Sequence, residues 1–157
     1  MTGDTHLRDV TESDLPVFFE HQRDPEANRM ANFSARDRDA FMAHWTTNVL
    51  GNDSATVKTV VFDERVAGNV VSWSEQDGRR MVGYWIGREH WGRGIATKAL
   101  SEFLGHVKTR PLYAHVAKHN IASIRVLEKC GFAVSSEDEG VTDPADGVEE
   151  LLLELRA

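Results

Sequence analysis

The sequence lacks most of the features that mark secreted, membrane or nucleic-acid-binding proteins. It has one cysteine, Cys130, so no disulfide can form within the chain, and this favours a reducing compartment. No apolar run is long enough to cross a bilayer, and residues 1–4 lack the basic and apolar regions of a signal peptide. The 18 basic residues are outnumbered by 25 acidic ones, and the net charge of −7 disfavours nucleic-acid binding. We therefore expect a cytoplasmic protein that binds neither membranes nor nucleic acids.

The length and the distribution of charge indicate one domain with two different surfaces. A chain of 157 residues can bury one core, and no repeat or linker divides it, so we predict a single domain over residues 1–157. Residues 88–129 hold a clear excess of basic residues, whereas most of the acidic residues lie outside this stretch. The basic stretch suits a phosphorylated ligand and the acidic remainder suits a cationic amine, or the acids serve solubility alone.

Hydrophobic periodicity predicts one mixed α/β sheet with helices on both of its faces. Period-two patterns predict strands at residues 6–10, 56–62, 66–73, 80–86, 112–117, 132–135 and 148–155. Helical spacing predicts helices that begin near Glu12, Ser34, Ile95 and Asn120, with the first one broken at Asp24-Pro25. An acidic, polar loop is predicted between Glu137 and Gly147.

A glycine turn between a strand and a helix is the strongest local signal for function. The turn has the sequence Trp91-Gly92-Arg93-Gly94-Ile95-Ala96-Thr97. The two glycines let the backbone approach a ligand closely, and the first helical amides have no intrahelical acceptor. Such a site suits a phosphate. Gly94 is followed by neither the Lys-Ser/Thr of a Walker loop nor the third glycine of a dinucleotide fingerprint. Alone, the turn could equally be an ordinary connection.

Three more segments accompany the turn in a characteristic order. Together the four are Tyr84-Trp85-Ile86-Gly87, Trp91-Gly92-Arg93-Gly94-Ile95-Ala96, Asn120-Ile121-Ala122-Ser123 and Glu128-Lys129-Cys130-Gly131-Phe132. This pattern resembles the GNAT acetyltransferase superfamily, in particular the branch that includes ribosomal-protein N-terminal acetyltransferases. The resemblance implies a mostly antiparallel central sheet of six to seven strands. It also implies an N-acetyltransferase that uses acetyl-CoA, or a degenerate GNAT module that binds acyl-CoA without turnover.

The resemblance also implies which residues bind the cofactor. The main chain of Ile86 and Gly87 would contact the pantetheine amides. The pyrophosphate would bind at the residues of the glycine turn, namely Gly92, Arg93, Gly94, Ala96 and Thr97. Trp91 stands where the family usually has Gln or Arg. Asn120 would reach the pantetheine arm, and it also suits the N-cap of the following helix.

Candidate catalytic residues follow from the same comparison. The tyrosine that donates a proton in many GNAT enzymes is replaced here by Leu127. Ser123 resembles a serine proposed for that role, and it is also a candidate cofactor contact or a plain surface hydroxyl. His115 is the candidate general base because it lies mid-strand and its imidazole titrates near neutral pH. It could equally be a packed histidine. The histidines show no spacing typical of a metal site, so none is predicted.

The acceptor would be selected by the helical segment 24–48 and by the acidic loop near Glu137. Phe33, Phe41 and Trp45 could form the wall of a pocket, although such aromatic residues are more often part of a core. The expected acceptor is a primary amine, either a protein N-terminus or a small molecule. Both a monomer and a homodimer fit the sequence.

Overall fold

The computed structural model describes residues 4–31, 35–135 and 149–156. The strands in these residues are β1 (Thr5–Arg8), β2 (Thr56–Phe62), β3 (Arg65–Ser74), β4 (Arg80–Ile86), β5 (Leu112–Ala117), β6 (Ala133–Val134) and β7 (Glu150–Leu155). The helices are α1 (Leu15–Gln22), α2 (Pro25–Ala31), α3 (Arg38–Ala43), α4 (Ile95–His106) and α5 (Ile121–Lys129). The acidic loop between Glu137 and Gly147 and the candidate pocket residue Phe33 lie outside the described residues.

The described strands form one sheet in the order β1-β2-β3-β4-β5-β7-β6. All neighbours run antiparallel except β4 and β5, which are parallel. These two strands pair only at Arg80 with Leu112 and at Met81 with Tyr113. From Val82 onward they separate, so the sheet opens between them. The predicted mixed, mostly antiparallel sheet of six to seven strands is confirmed.

Helices cover both faces of the sheet, as predicted. One face packs against α4 and α5 through a core that includes Leu100, Phe103 and Leu127. The other face of β2 and β3 packs against α1 through Phe18 and against the segment that continues α3 through Trp45, and the two rings lie 5.0 Å apart. Periodicity could predict these helices because each buries one apolar stripe.

The prediction for the segment after α1 was incomplete. Asp24-Pro25 does end α1, but a second helix begins at Pro25 itself. Proline is tolerated at the first helical position because that residue's amide has no intrahelical acceptor. The Asp24 carboxylate accepts the Glu26 amide at 3.1 Å, which caps the new helix. Further on, α3 begins after its cap Asp37 and continues as a π-helical segment, His44–Leu50.

A buried carboxylate joins β1 to β2. Asp14 is only 1% exposed and accepts two hydrogen bonds of 2.8 Å from the Arg8 guanidinium. Its Oδ2 also accepts the Thr11 amide at 2.9 Å and the Thr59 hydroxyl at 2.7 Å. Burial alone would raise the pKa of Asp14, but these hydrogen bonds outweigh it and lower the pKa to about 2.

We expect Asp14→Asn to lower the free energy of unfolding by about 2 kcal/mol near neutral pH, because the favoured buried charge is lost. Since the folded-state pKa lies below the unfolded value, the wild-type advantage should be full above about pH 4 and vanish as the pH falls toward 2. Urea unfolding at several pH values measures this. Asp9→Asn is the control, because the Asp9 side chain is 88% exposed beside Lys58. Equal losses in the two variants would contradict the prediction.

Candidate active site

The main chain of β4 presents alternate groups to the opening between β4 and β5. The Gly87 amide donates to the Ala67 carbonyl of β3 at 2.8 Å, and Trp85 lies opposite Asn69. In an antiparallel ladder the intervening residues point their main-chain groups to the other edge, so those of Tyr84 and Ile86 face the opening. The Ile86 carbonyl already accepts the Trp91 indole at 2.9 Å.

This hydrogen-bond pattern distinguishes Ile86 from Gly87, the two residues whose main chains were predicted to contact the pantetheine. Both main-chain groups of Gly87 have partners, because its carbonyl accepts the His90 amide at 2.9 Å. The amide of Ile86 is therefore the better placed donor toward the opening. Gly87 is needed for another reason, since a Cβ there would lie 2.6 Å from Nε2 of His21.

The glycine turn directly follows this strand. Gly92 and Gly94 both have a φ of +77°, a conformation that side chains disfavour, and a Cβ on either would meet open space. Arg93 lies over the Phe62 ring, with its guanidinium carbon 5.9 Å from the ring centre. Gly94 is the N-cap of α4 and provides no side-chain cap.

The amides of the turn are available to a ligand. Among the described residues, the amides of Gly92, Arg93 and Gly94 have no hydrogen-bond acceptor. The first-turn amides of α4, including those of Ala96 and Thr97, lack intrahelical acceptors by the geometry of a helix. A twelve-residue helix adds the positive end of its dipole. This cradle fits the diphosphate of a coenzyme without a blocking side chain.

A pair of hydroxyl groups spans the opening beside this cradle. Tyr84 on β4 and Ser123 on α5 are hydrogen-bonded, with their oxygens 2.7 Å apart. Burial raises the pKa of Tyr84 to about 12, although the bond to Ser123 opposes the shift, so the phenol stays protonated. Asn120 caps α5, because its side-chain oxygen accepts the Ser123 amide at 3.2 Å. Leu127, at the usual tyrosine position, is 3% exposed in the core.

Sequence reasoning missed the hydrogen bond between Tyr84 and Ser123. The residue lies 39 positions before Ser123, and a tyrosine in a predicted strand is normally a packing residue. The one available signal was its place in the segment before the glycine turn. A buried tyrosine hydroxyl almost always has a hydrogen-bond partner, so a buried Tyr84 would imply a polar residue near it.

His115 lies on the other face of the sheet from Ser123. It is exposed, pairs across the ladder with Leu152, and shares its face with Tyr113 and Ala117, as predicted. Tyr113 and Leu152 cluster with Met81 and, through it, with Trp73. His115 thus lies on the face that also carries the cavity described next.

A cavity of about 410 Å³ lies between the helices and the sheet on this face. Its floor is formed by Asn69, Val71 and Trp73 of β3 and by Gly83 and Trp85 of β4. Its walls include the aromatic residues Phe18, Phe41 and Trp45. Phe41 and Trp45 are therefore core residues and pocket residues at once, so both interpretations of these aromatics hold.

The described residues contain no group of three histidine, cysteine or carboxylate side chains placed to hold a metal ion. None of their helices combines the length and the apolar character needed to span a bilayer. His21 and His90 are buried, and burial lowers the pKa of both.

Known proteins share this architecture over nearly its whole length. The spermidine N-acetyltransferase from Vibrio cholerae, solved with CoA and spermine, superposes with a TM-score of 0.81 at 15% identity, covering 97% of this chain and 95% of that one. A ribosomal L7/L12 alpha-N-protein acetyltransferase solved with coenzyme A gives 0.79 at 17% identity, covering 96% and 92%. The aminoglycoside acetyltransferase AAC(6')-Ib with coenzyme A gives 0.76 at 19%, covering 98% and 95%.

Sequence comparisons agree with the structural ones. The uncharacterized N-acetyltransferase p20 of Bacillus licheniformis is 24% identical over 139 residues, which is 80% of this chain and 77% of that protein. The family model for the acetyltransferase (GNAT) domain matches residues 4–133. The glycine turn, the opening in the sheet and this match lead to one conclusion: the chain belongs to the GNAT family of acetyltransferases and is an acyltransferase enzyme.

Proposed function

We propose that the protein transfers the acetyl group of acetyl-CoA directly to a primary amine. The observation that supports this most is that three features adjoin the same strand, β4. These are the opening in the sheet beside β4, the glycine turn that follows it, and the hydroxyl pair that joins it to α5. Acetyl-CoA would supply a thioester whose carbonyl carbon is attacked by the amine. The single cysteine continues to favour the cytoplasm as the place of action.

The cofactor would be held mainly by main-chain groups. The amides of Gly92, Arg93 and Gly94, followed by those of Ala96 and Thr97, would bind the pyrophosphate. The Arg93 guanidinium lies beside the turn and adds a positive charge that a phosphate would attract. The Ile86 amide and the Asn120 side chain, whose oxygen caps α5, would bind the pantetheine arm.

The hydroxyl pair would provide the proton for the departing thiolate. As the new C–N bond forms and the C–S bond breaks, the Ser123 hydroxyl gives its proton to the sulfur. Tyr84, which keeps its proton because its pKa is about 12, donates to the Ser123 oxygen and stabilises it. His115, which is exposed on the opposite face of the sheet, would accept the proton that the amine loses.

We expect His115→Ala to lower turnover and to change the shape of the pH–rate profile, while the affinity for CoA stays the same. The physical reason is the loss of the side chain that would accept the amine proton, an effect of about 100-fold for general bases. Steady-state rates between pH 6 and 9 measure it. His106→Ala, on the exposed end of α4, is the control. A profile that keeps its shape would remove His115 from the mechanism.

The decisive experiment for the proposed function is the release of free thiol from acetyl-CoA. Release that depends on added primary amine supports transfer, and mass spectrometry should show an amine that is heavier by one acetyl group. Binding of CoA without any amine-dependent release would instead favour the degenerate, non-catalytic module. Failure to bind CoA at all would contradict the assignment of the glycine turn.

A further inference from the structure

We propose that the cavity between α1, α3 and the β3–β4 floor binds the acceptor and selects one chemical class. That class is a primary amine that carries an aromatic or large apolar group and no second positive charge. This inference rests on the proposed function, and it adds the identity of the acceptor's side group.

The lining of the cavity is rich in aromatic residues, and its described part carries no negative charge. Six aromatic residues of the helices and the sheet line it, namely Phe18, Phe41, Trp45, Trp73, Tyr84 and Trp85. None of the described residues that line it is an aspartate or a glutamate, and Arg36 is the charged side chain among them. A polycation would lose its hydration there and find no carboxylate in return. An aromatic group would instead exchange water for apolar and ring contacts.

One polar group in the floor is suited to hold the amine. Asn69 is 7% exposed and lines the cavity. Its side-chain oxygen can accept a hydrogen bond from a primary amine. The side chain of the neighbouring Gln22 is already engaged, because it donates to the Arg36 carbonyl at 3.0 Å and accepts the Arg36 amide at 2.8 Å.

The register of the sheet orients the acceptor in the cavity. Asn69 lies opposite Trp85, one residue before Ile86, whose main chain faces the opening between β4 and β5. Trp73 lies opposite Met81, at the end of β4 where the sheet is still closed. An amine bound at Asn69 would therefore be next to the opening, and its apolar group would extend over Val71 toward Trp73.

The test compares four acceptors at saturating acetyl-CoA: 2-phenylethylamine, the tripeptide Phe-Gly-Gly, spermidine and kanamycin. We expect kcat/KM for at least one of the first two to exceed the values for both polycations by at least about tenfold. The comparison between 2-phenylethylamine and the tripeptide tells whether the aromatic amine comes from a small molecule or from a chain terminus. A preference for spermidine or kanamycin would overturn the inference and leave the proposed function intact.

Two variants locate the selectivity in this cavity. Asn69→Leu should lower kcat/KM for the preferred amine by about tenfold and leave the KM for acetyl-CoA unchanged. Gly83→Val should act more strongly on the aromatic acceptor than on methylamine, because a Cβ there already lies 3.4 Å from the Trp73 ring and extra methyl groups would occupy the floor. Gly105→Val, on the exposed side of α4, is the control. Equal effects on both acceptors would contradict the assignment.

If none of the four amines is acetylated, binding decides the question. Tryptophan fluorescence should change saturably when 2-phenylethylamine is added to the CoA-bound protein, because two of the floor residues are tryptophans. The change should be lost in Asn69→Leu. Absence of saturable binding in a protein that still binds CoA would overturn the acceptor inference alone.

Discussion

Replacing Gly94 by glutamate is expected to abolish the binding of coenzyme A while the protein remains folded. The new side chain would bring bulk and a negative charge to the turn whose free amides face the proposed pyrophosphate site. A Cβ at Gly94 meets open space, so the substitution creates no clash in the free protein. Its φ of +77° imposes a backbone cost of about 1 kcal/mol, which is small against the stability of a domain.

The matched control for Gly94→Glu is Gly78→Glu. Gly78 has a φ of +90° and also has open space around it, but it lies in the turn before β4, at the opposite end of that strand from the glycine turn. Both variants should unfold at similar temperatures, which isolates the effect on the ligand from backbone strain. Calorimetric titration with CoA measures the affinity. Normal affinity in Gly94→Glu would show that the pyrophosphate binds elsewhere.

Removing the two hydroxyl groups that span the opening should lower turnover without changing CoA affinity. We expect Ser123→Ala to lower kcat by about 100-fold, in the range of general acid catalysis, and Tyr84→Phe to lower it by about tenfold. The phenyl ring of Tyr84→Phe keeps the packing of the buried side chain and loses only the hydrogen bond to Ser123. The double variant should be little worse than Ser123→Ala, because in the proposed mechanism the two groups act as one unit.

The chain contains a matched control for the tyrosine substitution. Tyr113 is the other of its two tyrosines, and its cluster with Met81 and Leu152 lies on the opposite face of the sheet from Ser123. Tyr113→Phe should therefore keep the wild-type kcat. Stopped-flow measurement of thiol release separates the chemical step from product release. Full activity in both Ser123→Ala and Tyr84→Phe would transfer the acid role to water.

The features predictable from the sequence were those determined by short stretches of chain. The strand before the turn, the glycine turn and the amphipathic helix after it follow from period-two alternation, from Gly92 and Gly94, and from helical spacing. The cap of α5 by Asn120 also follows from local chemistry, and its hydrogen bond to the Ser123 amide is present. In each case the residues that favour the conformation are neighbours in the sequence.

The features that could not be predicted depend on residues that are distant in sequence. The hydrogen bond between Tyr84 and Ser123 joins β4 to α5, the helix that follows β5 in the chain. Only the assembled sheet brings the two residues together. The bond from the Trp91 indole to the Ile86 carbonyl depends on how tightly the turn folds back. The cavity depends on how α3 packs over β3. The helical spacing that includes Phe41 is the same whether this residue fills a core or lines a cavity, so the sequence cannot distinguish the two.

On the proposed function, the narrow junction between β4 and β5 would make the coenzyme part of the architecture of the protein. Only two ladder positions join the first four strands to the last three, and the remaining length of β4 faces an opening. On the proposed function, the pantetheine arm would replace the missing ladder contacts and connect the two halves. Binding then stabilises the folded state by mass action. A cell depleted of acetyl-CoA would hold a looser enzyme that proteases attack more easily, so the supply of its donor would also determine its lifetime.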